Sequence, residues 1–504
     1  MLNLLDLPTE LIYRIVEFLE EDYDQCYCHN EKDSNALVNL RLTNKRLSLI
    51  ARKTLFSTIK ILPLEPLNKD DLKRHKNALE HQELWGYVNS VEIDTVGYNE
   101  IRYVYPYSTF PPTQGASYEA KVSDEFGKAL STLKKLPNIR AVKLYLSEVC
   151  FANGFEWGIR KDFHGPAQTI RFRKAVMEQF FAALADPLAE SIKDISITHL
   201  QDINDPTLVQ SSYFRSVLRR LSSLTLNIVT DNVSLDTREA IELEELHDFF
   251  NQLPSTWLMP AAPGLKCLVL SCADRYFGYY PKLDLSSVHF PNLETLALSK
   301  FTIAENKHVD WITSHTGLRR LSLHDCPILV YRIVDPEHLV EKDNNNHSTL
   351  MDATITGWGR IIQLRELRWS GIFAQFQSSL RSLREFRIGY WKDHDTKTVD
   401  SDLDMFENMP FGLFRNRYKV YNSGRRLDDE LYEDAEWYTD MQDDEGDDTL
   451  LGKMVKQFAD RCIEGDQNKE DKAALVGLLE SIGMEVPVGF SKEGSVCDLV
   501  ETQW

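Results

Sequence analysis

The residues of this chain that could do chemistry are few and scattered. Cys26, Cys28 and His29 stand together in the stretch CYCH, and both residue types can ligate zinc. Their spacing is poor for a zinc finger, and no second pair of ligands follows at a suitable distance. A solvated insert is the better interpretation of this stretch, and we predict no metal there.

The other candidate residues also favour structural roles. His75 and His81 lie in the charged stretch RHKNALEH, where we expect them on the solvent face of a helix. Cys326 ends a leucine-rich motif, which favours a buried thiol over a nucleophile. The chain has no phosphate-binding, dinucleotide-binding, zinc-protease or serine-hydrolase motif. We therefore predict no catalytic residues and no cofactor, and we expect that the protein is not an enzyme.

The overall charge narrows the possible partners. The chain has 504 residues and a formal net charge of −20. Phosphate backbones and anionic membranes attract basic surfaces, so we predict neither a nucleic-acid partner nor a membrane partner. Twelve of the acids fall in residues 428–448, which hold no Lys or Arg and which we predict to be disordered.

The cysteines and the apolar runs indicate the cellular compartment of the protein. Eight cysteines are spread thinly, without a C-x-x-C pair or a disulfide framework, which favours a reducing compartment. Asp6, Glu10 and Arg14 interrupt the first apolar run, so it is not typical of a secretory signal. No window approaches the roughly 18 uninterrupted apolar residues of a membrane span. We expect a cytoplasmic location, a nuclear location or both.

Beyond residue 80, one pattern recurs: apolar-x-x-apolar-x-apolar. Its last two apolar positions alternate as in a strand, and the first would pack the turn that enters the strand. One copy could arise by chance in any leucine-rich chain, but nine are hard to dismiss. The copies are VNSVEI (88–93), IRAVKL (139–144), IKDISI (192–197), LSSLTL (221–226), LKCLVL (265–270), LETLAL (293–298), LRRLSL (318–323), LRELRW (364–369) and LREFRI (383–388).

These copies resemble the core of the leucine-rich repeat, whose period is about 20–29 residues. The alternative is an ordinary α/β domain whose strands start alike. In a repeat solenoid, the x positions of the strands would form an exposed concave binding face. Those positions are Lys143, Ser196, Thr225, Val269, Ala297, Ser322, Arg368 and Arg387.

The sequence of the first 60 residues predicts helices that have more apolar surface than a single small core would bury. Apolar residues of the stretch 4–19 spread over more than half of the helix circumference. A polar insert follows at 20–34, and helical spacing resumes over 36–56, with Thr43 and Asn44 as a predicted cap or turn. A helix as short as the first one is only marginally stable alone, so a core or a partner must cover its apolar surface.

These residues resemble the F-box motif. The resemblance rests on Leu-Pro-x-Glu-Leu at 7–11 and on a correctly ordered second half that ends in Leu55-Phe56. Two features depart from the family: the long insert, and Phe56 where the family often has Trp. The residues of the motif that the resemblance assigns to adaptor binding are Leu7, Pro8, Glu10, Leu11, Ile15, Phe18, Leu19, Leu55 and Phe56.

The resemblance implies a substrate-recognition subunit of an SCF-type cullin-RING ubiquitin ligase. Such a subunit binds an adaptor and, through it, cullin, while its downstream domain holds a protein substrate. An adaptor-bound scaffold without ligase function is the alternative. We predict an α/β protein with an N-terminal three-helix F-box module followed by an irregular leucine-rich-repeat solenoid. The predicted parts are the module at 1–60, repeats at 80–425, the acidic segment at 428–448 and a C-terminal helical segment or cap at 449–504.

Overall fold

The computed structural model of this chain is an α/β fold with two compact units. The first unit comprises residues 1–153, 164–198 and 210–217, and the second comprises the rest. The structure describes residues 7–8, 10–12, 14–16, 35–61, 81–95, 122, 124–148, 150–151, 168–230, 244–273, 275–334, 353–355, 361–364, 366–390, 406, 409–414, 416–422, 432–434 and 465–486.

Helices and strands alternate along most of the chain. The helices are α1 (Asn35–Thr43), α2 (Lys45–Leu55), α3 (Asp124–Leu130), α4 (Ile170–Leu184), α5 (Pro206–Gln210), α6 (Ser212–Arg219), α7 (Glu244–Leu253), α8 (Met259–Ala261), α9 (Asn306–Thr313), α10 (Trp369–Ser379) and α11 (Asp466–Ile482). The strands are β1 (Thr58–Ile61), β2 (Ser90–Asp94), β3 (Ala141–Tyr145), β4 (Cys150–Phe151), β5 (Gln168–Thr169), β6 (Asp194–Gln201), β7 (Ser223–Val229), β8 (Cys267–Cys272), β9 (Thr295–Ser299), β10 (Arg320–His324), β11 (Ile328–Val334), β12 (Ala353–Ile355), β13 (Ile361–Leu364), β14 (Glu385–Gly389), β15 (Tyr418–Asn422) and β16 (Tyr432–Asp434).

Nine of these strands are parallel and follow one another in chain order. In the first unit β1 pairs with β2, β2 with β3, and β3 with the start of β6. In the second unit the order is β7, β8, β9, β10 and β14. Parallel neighbours need crossover connections, and helices such as α3, α4, α9 and α10 lie in them.

The recurring motif predicts eight of these strands correctly. In each of the eight copies the strand begins at the third residue of the motif, and the leading apolar residue is buried. The copy LRELRW is the exception, because Leu364 ends β13 and Trp369 begins α10. Two Pro-Asn pairs precede these strands, and the Asn138 and Asn292 side chains donate to the backbone carbonyls of Gly86 and Pro263.

The predicted architecture of a three-helix F-box module followed by a leucine-rich-repeat solenoid is wrong. A solenoid stacks near-identical units of about 20–29 residues. Here successive parallel strands start as little as 25 residues apart, from β9 to β10, and as much as 65 apart, from β10 to β14. A second sheet is inserted between β10 and β14 in the chain. The alternative, an α/β domain whose strands start alike, describes this arrangement.

The predicted open concave face is wrong as well. Ser196, Thr225, Val269 and Ala297 are buried, and Lys143, Ser322 and Arg387 are partly covered. Arg368 lies outside a strand, at the N-cap of α10. The burial has a visible cause at Val269 and Ala297, since the ring of Phe406 packs on both. The sheet of the second unit is therefore covered on both faces there, as parallel sheets usually are.

The second sheet has five strands in the order β12, β13, β11, β15 and β16. Only the β11–β15 pair is parallel, and the other three pairs are antiparallel. Its edge strand β16 comes from residues 432–434 of the acidic segment, whose remaining residues lie outside the described part of the chain.

A buried ion pair anchors the helix α11 in the second unit. The Nε atom of Arg417 lies 3.1 Å from Oδ2 of Asp471, and both side chains are fully buried. The Asp471 carboxylate also accepts from the Tyr418 hydroxyl at 2.8 Å and from the Ser370 backbone at 3.0 Å. This cluster joins α10, β15 and α11. The helix predicted over 472–482 is present and begins at Asp466, and the one predicted over 450–463 lies outside the described residues.

Candidate docking site in the N-terminal helices

The first helical turn follows Pro8. The Pro8 carbonyl accepts from the backbone N–H groups of Leu11 and Ile12, at 3.1 and 3.2 Å. Residues 10–12 and 14–16 are helical. Proline suits a helix start because its missing N–H would have no partner there.

A small apolar core holds these residues against α2. Ile12 and Val16 are buried with Leu47 and Ile50, while Leu7, Leu40 and Leu55 pack around them. The Arg46 guanidinium donates to the Leu7 carbonyl at 3.2 Å. The Asn44 side chain caps α2 by accepting from the Arg46 backbone at 2.7 Å, so the predicted cap is confirmed.

Four large apolar side chains of these helices face solvent. Leu11 and Ile15, one helical turn apart, are 50% and 37% exposed. Leu42 at the end of α1 is 73% exposed, and Leu49 on α2 is 60% exposed. Among the described residues, six large apolar side chains are exposed, and four of them are these. Exposed apolar groups concentrated in one segment mark a contact site for another protein.

The residues predicted to bind an adaptor divide into three groups. Leu11 and Ile15 are exposed and available, as are Pro8 and Glu10. Leu7, Leu55 and Phe56 are half-buried, and the first two pack on the core. Phe18 and Leu19 lie outside the described residues. Their adaptor-binding role stays a prediction.

Leu42 and Leu49 were missed by sequence reasoning. The stretch LRLTNKRLSLI holds five leucines or isoleucines besides its capping residues, which is more than one buried face requires. That surplus of apolar residues was the sequence signal that some of these leucines would be exposed.

The helices α1 and α2 carry a local positive charge. Residues 35–59 include five basic side chains and no acidic one, in a chain whose net charge is −20. Lys45, Arg52 and Lys53 are exposed. A partner that is apolar at its centre and acidic at its rim would complement this surface.

Other candidate residues of the sequence do not form a reactive centre. Cys326 is fully buried, as predicted, and burial raises the pKa of its thiol. His81 is exposed, while Cys26, Cys28, His29 and His75 lie outside the described residues. Across the described ranges, no three His, Cys, Asp or Glu side chains lie close enough to hold a metal ion. None of the helices there has the length and apolar character of a membrane span.

Three histidines are buried in the second unit. Burial lowers the pKa of His308 to about 4 and, with help from the Lys300 charge, that of His324 to about 3. Burial also lowers the pKa of His315, whose ring stacks on His289. Each is bonded to its own surroundings: His308 accepts from the Ala304 backbone, His315 accepts from the Phe290 backbone, and His324 contacts the Ser299 hydroxyl at 2.8 Å. This arrangement is typical of buried histidines that have a structural role in the core.

Comparisons with known proteins leave the function open. No protein-family model matches this chain. No curated protein matches it either. One solved structure to which it was aligned is an endo-1,4-beta-mannanase from Rhizomucor miehei, at 8% identity and a TM-score of 0.14, over 54% of this chain and 82% of that one. A likeness this weak supports no conclusion about fold or activity.

Proposed function

We propose that this chain is the substrate-recognition subunit of a cullin-RING ubiquitin ligase and that its N-terminal helices bind the adaptor. The observation that carries the proposal is the exposure of four large apolar side chains in the N-terminal helices, Leu11, Ile15, Leu42 and Leu49. These side chains lie in the same 50 residues whose order of Leu, Pro, Glu, Arg and Asn resembles the F-box motif.

The geometry supports docking by a preformed surface. Ile12 and Val16 fix one side of the first helical turns in the core, so Leu11 and Ile15 face outward without rearrangement. A surface ordered before binding loses less conformational entropy when a partner covers it. The positive charge of residues 35–59 would speed the encounter with an acidic partner.

The mechanism that we propose is positioning. The chain supplies no nucleophile; it holds a substrate near the ubiquitin-charged enzyme carried by cullin. Tethering raises the effective concentration of a substrate lysine, to millimolar values for short flexible links. The N-terminal helices would bind the ligase, and the rest of the chain would bind the substrate.

The test is capture of adaptor and cullin by the tagged full-length chain and by two matched double variants. Leu11→Asp/Ile15→Asp changes the proposed contact. Leu188→Asp/Met259→Asp adds the same charge at two other exposed apolar positions. We expect the first variant to lose both partners and the second to keep them.

The other outcomes are equally informative. Adaptor without cullin would favour the adaptor-bound scaffold over a ligase subunit. Equal capture by both variants would refute docking through Leu11 and Ile15. Failure of the unaltered chain to capture adaptor would refute the proposal as a whole.

A further inference from the structure

A loop rich in tyrosine lies beyond the carboxyl end of β8 in the second unit. It spans residues 275–283, and its Tyr276, Tyr279 and Tyr280 are half-buried. The ring of Tyr421 on β15 lies beneath it, with centroids 5.1 Å from Tyr279 and 5.5 Å from Tyr280. The three loop tyrosines thus combine a fixed contact with an accessible part. Tyrosines gathered in this way are typical of surfaces that bind other proteins.

The backbone of this loop is fixed by its neighbours. The Phe277 N–H donates to the Lys300 carbonyl at 3.0 Å, and the Phe277 carbonyl accepts from the Thr302 N–H at 2.7 Å. Gly278 has a φ of 110°, and a Cβ there would come within 2.9 Å of the Thr302 carbonyl oxygen. Only glycine suits this turn. A surface ordered in this way before binding loses less conformational entropy when a partner covers it.

Cations lie against the tyrosine rings. The Nζ atom of Lys419 is 4.8 Å from the ring centroid of Tyr276, and the Cζ atom of Arg332 is 5.7 Å from that of Tyr279. Lys282, on the same loop, is exposed. These charges make the loop locally positive in a chain whose net charge is −20, so they favour an acidic partner.

Two residues beside the loop have a backbone conformation that is rare for residues other than glycine. Lys300 follows β9 with a φ of 58°, and Asp325 follows β10 with a φ of 47°. Both contact the loop region: the Tyr276 hydroxyl donates to Asp325 at 3.0 Å, and the Lys300 ammonium donates to the Ala273 carbonyl at 2.8 Å. Such strain clusters at functional sites, and the carboxyl ends of parallel strands are where α/β proteins usually bind ligands.

We propose that the tyrosine surface, formed by Tyr276, Tyr279, Tyr280, Lys282 and Arg332, binds an acidic segment of a partner protein. The tyrosines supply contact area, and the cations select acidic side chains. An acidic strand already pairs beside this surface, since β16 has the sequence Tyr-Glu-Asp and lies along β15. The proposal deepens the proposed function and rests on it only for identifying the partner as a ubiquitination substrate.

The test uses a fluorescein-labelled oligoglutamate peptide, with oligoglutamine of the same length as the control peptide. Fluorescence anisotropy at low ionic strength measures the affinity of the full-length protein for each peptide. We expect oligoglutamate to bind at least about tenfold more tightly than oligoglutamine, and added salt should reduce this difference because it screens the charges. Equal affinity for the two peptides would overturn the proposal.

Two variants and a matched control locate the binding. Lys282→Glu reverses an exposed charge and should weaken oligoglutamate binding about five- to tenfold. The control Lys266→Glu makes the same change at an exposed position just before β8, and its effect should stay below about twofold. Tyr279→Ala should weaken binding about tenfold; if it does not fold, the exposed Lys282 still decides. Equal effects of the two lysine variants, or unchanged binding by folded Tyr279→Ala, would overturn the proposal.

Adaptor capture by the same variants keeps the two proposals distinct. The tyrosine surface belongs to the second unit, and the docking residues Leu11 and Ile15 belong to the first. We therefore expect adaptor capture to be unchanged in Lys282→Glu. Peptide binding that Lys282→Glu weakens, in a chain that captures no adaptor, would support the tyrosine surface while refuting the ligase role.

Discussion

Replacing Arg417 with methionine should destabilise the second unit strongly. The guanidinium bonds to Asp471, to the Asn468 side chain at 3.2 Å and to the Phe414 carbonyl at 3.3 Å, and it is fully buried. The variant leaves a buried carboxylate without its cation and two acceptors without a donor. Breaking a buried ion pair from one side costs about 3–5 kcal/mol. The remaining donors to Asp471, from Tyr418, Ser370 and Gln467, keep the expected cost near 4 kcal/mol.

Urea unfolding followed by tryptophan fluorescence measures this cost, because Trp369 is part of the same cluster. With an m-value of about 3 kcal/mol/M, the midpoint should fall by about 1.3 M. The matched control is Lys469→Met on the same helix, whose exposed pair with Asp466 should contribute less than about 0.5 kcal/mol. Adding Asp471→Asn to Arg417→Met should recover part of the loss. A cost below about 1 kcal/mol for Arg417→Met would refute the reasoning.

Three further predictions concern acid stability, the N-terminal core and one glycine. Burial lowers the pKa of His308 and His324 to about 4 and 3, so their contribution to folding stability is complete above the unfolded pKa of about 6.5 and is lost as pH falls toward the folded values, at about 1.4 kcal/mol per pH unit for each. His324→Asn should therefore make the melting temperature less dependent on pH between pH 6.5 and 4, whereas His81→Asn at an exposed position should not. Leu47→Ala should lower the stability of the small core of the first helices by about 2–4 kcal/mol, which amide hydrogen exchange would show as faster exchange in α2 with β9 unchanged. An equal change in exchange rate in α2 and β9 would contradict this prediction. Gly389→Ala would place its Cβ in collision with the Pro410 carbonyl oxygen, so thermal melting should show a loss of folding stability of at least about 1–3 kcal/mol, and a neutral result would contradict this packing.

The strands were predictable because their signal is local. In LETLAL and LRRLSL the apolar residues that alternate with a period of two lie in a strand of five residues, and the leading leucine is buried in the turn before it. The same apolar spacing gave a wrong strand prediction at LRELRW, because it can occur both at the entry to a strand and in the first turn of a helix. Trp369 begins a helix there because its ring is buried against Phe373 one turn later.

The arrangement of the strands was not predictable in the same way. Whether a face of the sheet is open depends on distant segments, and Phe406 covers Val269 from more than a hundred residues away. The second sheet pairs Ile328 with Tyr418, again without a local signal. Arg417 is another example, because a charged residue is expected at the surface unless partners such as Asp471 and Asn468 are known.

The docking residues were predictable in part. The apolar surplus of the first helix was visible in sequence, and so was the cap at Asn44. Which leucines face outward depends on the packing of that helix against α2. This packing buries Leu47 and exposes Leu49, two residues apart on one helix.

The central claim is that the exposed leucines and isoleucine of the first helices form the contact with an adaptor. Isothermal titration of purified adaptor into the full-length chain tests it most directly. We predict a micromolar or tighter complex with a negative heat-capacity change from apolar burial, weakened about ten- to a hundredfold by Leu11→Ala/Ile15→Ala. No detectable binding, or equal affinity for the folded double variant, would contradict the claim.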